Sequence, residues 1–447
     1  MKVKVTYSEI WRISWPIMLS SLAGTVINFT DVAFVARIGE KELAASALGG
    51  VFYFLLLMLG TAVGIGAQII ISRKAGEDRP TEIGHVFDHS LVILLVFSML
   101  MLLFLYLAIP SLLPLIINDG EVAAAALSYL KARSWSLPLM MVLIALRAFY
   151  TGITQTRIIT YSTVLMMVLN VILNYGFVFG GMGFPALGLI GAGLASAISE
   201  SLAVVYAVIY TMSRSVFQKF RLFKFTQLKR TAYVQILTLS SPIMLQHFLS
   251  MGAWFLFFVL IEKLGARELA VSNVLRSIYM VLMTPIWGFS QASNSMVSNL
   301  LGQNKEHEVI PLVTKIVKMS FLIGAGGILT SIVFKDLLFR LTTSDVMLIQ
   351  EAIPGFYVVC VATIVFSITM VLISAISGTG RTTAAMIIEV ISLVIYVAYI
   401  LVFTVILPGT LELVWTSELI YWLIMGIISY FYLVSGKWKS KLITEKL

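Results

Sequence analysis

Long apolar blocks, separated by short polar segments, run along almost the entire chain. Twelve of these blocks reach the roughly 20 residues that an α-helix needs to cross the hydrocarbon core of a bilayer. The pattern therefore predicts an all-α polytopic membrane protein with twelve transmembrane helices. The predicted spans cover residues 12–36, 44–71, 87–110, 128–151, 158–180, 188–212, 235–261, 269–299, 312–334, 353–377, 384–407 and 414–435.

The chain also repeats its own sequence. Pro16, near the start of the first span, is matched by Pro242 in the seventh, and Gly39 is matched by Gly265, each 226 positions later. Each copy holds six spans, and duplicated halves are typical of secondary transporters, whose halves rock about a shared site. Six spans per copy predict two lobes related by a pseudo-two-fold axis along the membrane normal. We expect an N-lobe at 1–213, a cytoplasmic basic linker at 214–232 and a C-lobe at 233–447.

Composition excludes a soluble protein. Hydrophobic residues make up 59% of the chain and charged residues 12%, whereas soluble domains carry about 25% charged residues. The mean hydropathy is +0.98. A chain of this composition has too few polar side chains to cover its apolar ones with a polar surface.

The charges in the connections indicate how the spans are oriented. Six basic residues and no acid lie within 214–230, and the tail after Gly436 is rich in lysine, whereas 116–122 contains acids and no base. Because cytoplasmic loops carry an excess of Lys and Arg, we expect the linker and both termini in the cytoplasm. Lys131 and Arg133 lie on the wrong side for this scheme. We expect the protein in the inner (plasma) membrane.

The formal net charge of +9 follows from these loops, which face anionic lipid. We therefore expect the lipid bilayer and small molecules as partners, no nucleic acid, and a monomer. No GxxxxGK(S/T) phosphate loop is present, and the histidines lack a convincing metal-ligand spacing. We expect no enzyme activity and no cofactor, so the energy for transport must come from an ion gradient.

Polar side chains within the first span are the sharpest chemical signal. Asp31 lies deep in that span, one turn after Asn28, where a charge costs about 2.5–3.5 kcal/mol on insertion scales. The second copy has Trp254 and Phe257 at the matching positions. A requirement of the fold would be expected in both copies, so the polar pair indicates a function.

The fifth span adds Asn170 and Asn174, four residues apart and hence on one helical face. The second copy has Tyr396 and Ile400 there. Carboxylate, amide and hydroxyl oxygens suit a hard cation such as Na+, and a desolvated carboxylate could instead take up a proton. These side chains could also simply join helices by hydrogen bonds. The residues support a coupling-ion site without identifying the ion.

Several short motifs extend this pattern along the chain. They are Pro16, Asp31, the Arg37-Ile38-Gly39 segment with its counterpart at Gly265, the segment 170–175, and the glycine-rich segment from Gly191 to Ser196. In combination they resemble the multidrug and toxic compound extrusion (MATE) family, prokaryotic type. The similarity covers nearly the whole chain.

The resemblance implies an antiporter that exports amphiphilic, often cationic compounds by alternating access in exchange for Na+ or H+. The N-lobe cation site of prokaryotic members maps onto Asp31, Asn170, Asn174 and Ser196. Asn174 stands where some members have a second Asp, which leaves Asp31 as the only carboxylate. Ser250 stands where others have a Glu, and the tenth span has no acid between its glycines, so we expect no cation site in the C-lobe.

Further residues are candidates for lining the substrate cavity. Glu200, one turn beyond Ser196, could face the same cavity or be buried against a neighbouring helix. Aromatic and methionine side chains suit flat cations through dispersion and cation–π contacts, although helix packing accounts for the same composition. The C-lobe candidates are Arg276, Trp254, Phe257, Tyr279, Met283, Trp287 and Phe289.

The main alternative is a flippase for a lipid-linked oligosaccharide, from the same superfamily. Such a protein would move an anionic headgroup and should line its cavity with several basic residues. The only candidates are Arg147, Arg276 and Lys131. Three such residues are too few to favour this function over drug export.

The charge pattern predicts which loops are accessible from each side. A cysteine introduced at Lys224, in a Cys360→Ala background, should react with a thiol label only from the cytoplasm, because translocating six basic side chains is costly. A cysteine at Glu121 should react only from outside. If position 224 reacts only from outside and position 121 only from the cytoplasm, the orientation is the reverse of the one predicted. If both positions react from the same face, the twelve-span arrangement is contradicted.

Overall fold

The structure is a computed structural model that describes residues 1–226, 228–343, 345–407 and 409–439. Within these ranges the chain forms helices joined by short connections and contains no β-strand. Residues 440–447, the end of the expected C-lobe and of its lysine-rich tail, lie outside the described residues.

The two copies of the repeat form similar series of helices. The first copy contains α1 (Tyr7–Val35), α2 (Glu40–Gly76), α3 (Pro80–Leu107), α4 (Ile109–Ile116), α5 (Gly120–Ser134), α6 (Leu137–Gly152), α7 (Arg157–Phe179), α8 (Gly188–Met212) and α9 (Ser215–Phe220). The second contains α10 (Arg230–Glu262), α11 (Ala266–Gly302), α12 (Val309–Val333), α13 (Lys335–Thr342), α14 (Val346–Gly378), α15 (Thr382–Leu401) and α16 (Leu411–Val434). Short 3-10 segments occur at Gly181–Gly183, Glu306–Glu308 and Lys437–Lys439, and a π-helical turn at Val402–Ile406.

Most of these helices are long and apolar enough to cross a membrane. Over the described residues, eleven meet this criterion singly, and the bent pair α5–α6 supplies a twelfth span. The prediction of an all-α protein with twelve spans is confirmed. The repeat is also visible in the helix bounds, because α2 and α11 both contain 37 residues.

The fourth span is broken in the first copy and continuous in the second. α5 and α6 meet at an angle of 54°, whereas α14 runs without interruption over the matching residues. Pro138 lies in the first turn of α6, where its missing N–H is tolerated, but it cannot donate a helical hydrogen bond to the carbonyl of Ser134, four residues earlier, and its ring clashes with that carbonyl. The matching residue of α14 is Ile364, which permits a continuous helix. A proline present in only one copy thus accounts for the break.

Contacts divide the chain into two compact units whose limits fall inside α1 and α10. The N-terminal unit is Leu19–Ser241, and the C-terminal unit is Met1–Met18 together with the described residues from Pro242 onward. The first part of α1 therefore packs with the second copy and the first part of α10 with the first copy, whereas the expected lobes keep each copy whole. Both limits lie beside prolines within the helices, Pro16 and Pro242.

The basic linker is fixed to the N-terminal unit through its backbone. The Asp88 carboxylate on α3 accepts the N–H groups of Phe223, Lys224 and Phe225 at 2.8–3.1 Å. Phe223 and Phe225 have φ values of 57° and 50°, a conformation that residues other than glycine rarely adopt. Charge-assisted hydrogen bonds to Asp88 offset the cost of this strain.

The residues before α1 are fixed to the C-terminal unit in a similar way. Asn299 Oδ1 accepts the Val3 N–H at 3.1 Å, and Gln303 Nε2 donates to the Val3 carbonyl at 3.1 Å. Lys315 Nζ donates to the Val5 carbonyl at 2.8 Å. Backbone contacts therefore attach the segment that begins each copy to helices of the other copy, which accounts for the unit limits.

Candidate functional site

The polar residues of the fifth and sixth spans lie on two neighbouring helices, α7 and α8. Gly180, with φ of 76°, ends α7 in the left-handed conformation that glycine adopts without strain. A Cβ at Gly191 on α8 would lie 2.3 Å from the Phe177 carbonyl oxygen. The absence of a side chain there permits the close approach that sets the polar face of α7 beside Ser196.

Asp31 is the centre of a polar cluster within the N-terminal unit. Its Oδ1 accepts hydrogen bonds from Nδ2 of Asn170 at 3.0 Å and of Asn174 at 2.7 Å. Its Oδ2 accepts the Ser196 hydroxyl at 3.2 Å. Asn174 Nδ2 also donates to Asn170 Oδ1 at 3.2 Å, and both asparagines are fully buried. The structure thus brings together four residues from α1, α7 and α8 that the sequence singles out.

The composition of this cluster fits a monovalent cation. It offers two carboxylate oxygens, two amide oxygens and a hydroxyl, which hard cations prefer. Among the described residues, no Lys, Arg or His forms an ion pair with Asp31. Asn174 Oδ1 is buried without a hydrogen-bond partner, which costs about 1–3 kcal/mol. A half-turn of the Asn174 amide would present this oxygen to a cation bound beside Asp31.

Asn28 does not join the cluster. Its side chain is exposed, and the hydrogen bonds of Asp31 come from α7 and α8 instead. Residues three apart on a helix differ by about 60° in direction, which leaves the Asn28 side chain exposed while Asp31 contacts α7 and α8. The structure therefore does not support Asn28 as a ligand.

Glu200, one turn beyond Ser196, is buried in an ion pair. Arg133 Nη2 lies 3.3 Å from its Oε1, and the hydroxyls of Tyr53 and Ser136 donate to its Oε2 at 2.7 and 2.5 Å. The Arg133 guanidinium also lies 4.4 Å from the centroid of the Tyr53 ring. Arg133 is thus compensated inside the protein, which explains why its charge does not follow the loop pattern.

The internal repeat is matched by a comparison with known families. The MatE family model matches residues 16–176 and again residues 242–402, once on each copy. Together the matches cover more than half of the chain. This chain belongs to the MATE family. The resemblance found in the sequence is confirmed, and the protein is a multi-pass membrane transporter rather than an enzyme.

Curated relatives of this MATE chain include two bacterial proteins named probable multidrug resistance protein NorM. The protein from Photorhabdus laumondii is 26% identical over 294 residues, covering 65% of this chain and 64% of the relative. The one from Agrobacterium fabrum is 26% identical over 317 residues, covering 70% of this chain and 68% of the relative. The chain thus aligns with slightly less than two thirds of the first relative's length.

Solved structures share the fold of this MATE chain. A MOP superfamily transporter from Pyrococcus furiosus, described as having a binding pocket of reverse polarity, gives a TM-score of 0.90 at 19% identity, covering 97% of this chain and 96% of that one. An outward-facing multidrug resistance MATE family transporter gives 0.89 at 19% identity, covering 97% of this chain and 96% of that one. Such low identities show the shared fold alone.

The aromatic residues expected to line a cavity in the C-lobe fall into two groups. Phe257, Tyr279 and Phe289 are fully buried in the apolar core of the C-terminal unit. In this structure they have no surface that could line a cavity, so the expectation is wrong for these three. Partly exposed side chains belong to Trp254, Met283, Trp287 and Arg276.

Two carboxylates of the C-terminal unit make contacts that the sequence does not assign. Glu389 on α15 accepts from Gln246 Nε2 at 2.7 Å and from the Ser250 hydroxyl. Glu418 on α16 is only 3% exposed. Glu418 is not among the residues predicted from the sequence, although it is, like Asp31, an acid inside an apolar span.

The ion pair beside the cluster predicts a loss of stability in Glu200→Gln. This change keeps an acceptor for the Tyr53 and Ser136 hydroxyls but leaves Arg133 buried without a counter-charge. The free energy of unfolding should fall by about 3 kcal/mol, seen as a lower thermal midpoint of the purified protein. Adding Arg133→Met should recover much of the loss, because no unpaired charge then remains. An unchanged midpoint in Glu200→Gln would show that the pair contributes no stability.

Proposed function

We propose that this MATE protein is a secondary active multidrug efflux antiporter. It exports small amphiphilic or cationic compounds by alternating access, in exchange for a cation that binds at Asp31. The observation that carries the proposal is the Asp31 cluster, in which a carboxylate within an apolar span accepts its hydrogen bonds, among the described residues, from neutral amides and a hydroxyl. The relatives named as multidrug resistance proteins support the substrate class.

The cluster suits reversible binding of one monovalent cation. In the structure the amide nitrogens of Asn170 and Asn174 face the carboxylate of Asp31. A half-turn of an asparagine amide exchanges its nitrogen for its oxygen, so a bound cation would meet amide oxygens as well as the carboxylate. One cation balances the single negative charge. Coupling requires that the two conformations of the transporter bind this cation with different affinity.

The neutral ligands favour Na+ over H+ as the coupling ion. Asn170, Asn174 and Ser196 offer oxygens that can ligate a metal ion, but an amide cannot carry a proton at physiological pH. Asn174 Oδ1 is buried without a hydrogen-bond partner and becomes a ligand when its amide turns by half a turn. A proton would need only the Asp31 carboxylate and would leave this amide oxygen without a role.

The contacts of the basic residues favour drug export over an oligosaccharide flippase. Arg147 is partly buried and donates to the Thr163 hydroxyl at 2.9 Å. Arg276 stacks on the Phe258 ring at 5.1 Å, and Lys131 lies 6.0 Å from a tyrosine ring centroid. Each cation has its own local partner, whereas an anionic headgroup would require cations that converge on one site.

We also infer that the protein is a monomer in the inner (plasma) membrane, with the linker and both termini in the cytoplasm. The basic linker supports this orientation. Arg133, one of the two residues that oppose the charge pattern, is compensated by Glu200 and therefore carries little weight as a topology signal.

Asp31→Asn should abolish ion-driven efflux. It removes the only carboxylate of the cluster while preserving the size of the side chain, so the protein should still insert and fold. The measurement is efflux of a fluorescent cation from proteoliposomes, with Na+ and H+ gradients imposed separately. Asn28→Ala, at an exposed position outside the cluster, is the matched control and should transport normally. Transport by Asp31→Asn at the wild-type rate would reject the site.

Substitutions at Asn174 distinguish Na+ from H+ as the coupling ion. If Na+ is the ion, Asn174→Ala removes one ligand and should raise the Na+ concentration for half-maximal efflux about tenfold, as expected for a loss of roughly 1.4 kcal/mol. Asn174→Asp restores an oxygen ligand and should retain transport with a changed pH response. Full efflux in sodium-free buffer under a pH gradient that is lost in Asp31→Asn would identify a proton at Asp31, and an unchanged Na+ dependence in Asn174→Ala would remove Asn174 from the site.

A further inference from the structure

We propose that Glu418 binds a proton and forms a second ion-coupling site, within the C-terminal unit. Its role in coupling rests on the antiport proposed above, whereas its binding of a proton does not. Glu418 lies inside α16 and is 3% exposed. Among the described residues it forms no ion pair with Lys, Arg or His. A buried charge without a counter-ion is costly, and no ion pair among the described residues offsets this cost at Glu418.

Three neutral donors hold the Glu418 carboxylate. The Tyr396 hydroxyl donates to Oε1 at 2.9 Å. The Tyr279 hydroxyl and the Trp422 indole N–H both lie 3.2 Å from Oε2. These groups satisfy the carboxylate oxygens, but none of them supplies positive charge. An ion taken up at this carboxylate would therefore neutralise it.

The side chains around Glu418 favour binding of a proton over binding of a metal ion. Trp254 faces the carboxylate from α10, and α14 gives it no hydrogen bond within the described residues. An indole N–H has no lone pair with which to ligate a metal ion, and the cluster lacks the amide oxygens found around Asp31. The titratable groups that face Glu418 are Tyr279 on α11, Tyr396 on α15 and Tyr421 on α16.

The repeat places Glu418 at the position that Ser196 has in the N-terminal unit. α8 and α16 end 222 positions apart, at Met212 and Val434, because the connection between the π-helical turn Val402–Ile406 and α16 is shorter than the one between α7 and α8. With this spacing Ser196 matches Glu418, and Glu200 matches Trp422.

Two hydrogen bonds that occur at matching positions support this alignment. In the N-terminal unit Asn170 donates to Ser196 at 3.3 Å. In the C-terminal unit Tyr396, which matches Asn170, donates to Glu418 at 2.9 Å. Two residues that are joined by a hydrogen bond in the Asp31 cluster thus have counterparts that are joined by a hydrogen bond at Glu418.

A second pair of contacts follows the same alignment. Tyr53 donates to Glu200 at 2.7 Å in the N-terminal unit. Their counterparts in the C-terminal unit are Tyr279 and Trp422, and the Trp422 N–H donates to the Tyr279 hydroxyl at 2.7 Å. Each unit therefore builds a polar cluster at the same place in its fold.

The carboxylate of the second cluster comes from a different helix. Phe257 on α10 matches Asp31 on α1, and its ring stacks on that of Tyr396 at 6.2 Å. Glu418 supplies from α16 the charge that Asp31 supplies from α1. The two units thus differ in which helix carries the ion-binding group.

Proton binding would alter the contact between α15 and α16. One proton added to Oε1 of Glu418 neutralises the carboxylate and breaks no covalent bond. The protonated oxygen becomes a donor, which allows the Tyr396 hydroxyl to change from donating to accepting. This change of hydrogen bonding gives protonation a structural consequence within the C-terminal unit.

Infrared difference spectroscopy of the full chain in lipid, recorded as a function of pH, tests the proton site. Glu418→Gln should remove one C=O band of a protonated carboxyl group. Glu389→Gln, a matched control at a glutamate whose counterpart is Thr163 outside the Asp31 cluster, should leave that band in place. A Glu418→Gln spectrum that keeps every carboxyl band would overturn the proposal.

Tyr396→Phe provides an independent variant if Glu418→Gln does not fold. It keeps the carboxyl group but removes the hydroxyl that bonds Oε1, so the carboxyl band should shift in frequency. An unmoved band in Tyr396→Phe rejects the assignment to Glu418.

Efflux assays separate the coupling role from the proton site. In proteoliposomes Glu418→Gln should reduce efflux driven by a pH gradient about tenfold or more, while efflux driven by Na+ through Asp31 continues. Loss of the band with unchanged pH-driven efflux rejects the coupling role. If the wild type shows no efflux under any gradient, yet Glu418→Gln loses the band, the antiport fails and the proton site stands.

Discussion

The cost of holding a carboxylate among apolar helices separates the functional acids of this protein from the structural ones. Glu200 has Arg133 at 3.3 Å, so its charge is compensated and it joins α2, α5 and α8. Asp31 and Glu418 are held by hydroxyl, amide and indole groups that carry no charge. Neutral donors reduce the desolvation penalty without cancelling the charge. An ion is the natural remaining partner of such a carboxylate, and its binding or release changes the energy of the surrounding helices.

The sequence predicts the first cluster well because the two copies can be compared position by position. Asp31, Asn170 and Asn174 are polar in one copy and apolar or aromatic in the other, and the family resemblance adds Ser196. Asn28 shares the same one-sided polarity but is exposed, because a difference of about 60° in direction suffices to keep it out of the cluster, and a spacing of three residues does not reveal this. Glu418 escapes the comparison because the spacing of 226 holds only as far as α15. The shorter connection before α16 shifts the match to 222, so the pairing with Ser196 appears only once the helix ends are known.

The division into units depends on contacts that no sequence pattern reports. Charge marks 214–230 as a linker, and a boundary there keeps each copy whole. The packing instead assigns the first parts of α1 and α10 to the other copy. Backbone groups make these attachments, such as the N–H groups that Asp88 accepts and the Val3 carbonyl bound by Gln303. Since every residue carries the same backbone groups, their partners follow from the fold and not from residue identity.

The two clusters lie at matching places in the two copies of the repeat, but several of their side chains differ together. Glu200 and Arg133 form an ion pair in the first copy, and the matching positions of the second copy are Trp422 and Val359. Loss of either charge alone would leave its partner buried and unpaired, at a cost of about 3–5 kcal/mol. Both are replaced together, and the indole N–H of Trp422 now donates to Glu418. With no arginine beside it, Glu418 is left without a permanent counter-ion, and this is the property that allows a carboxylate to gain and release one.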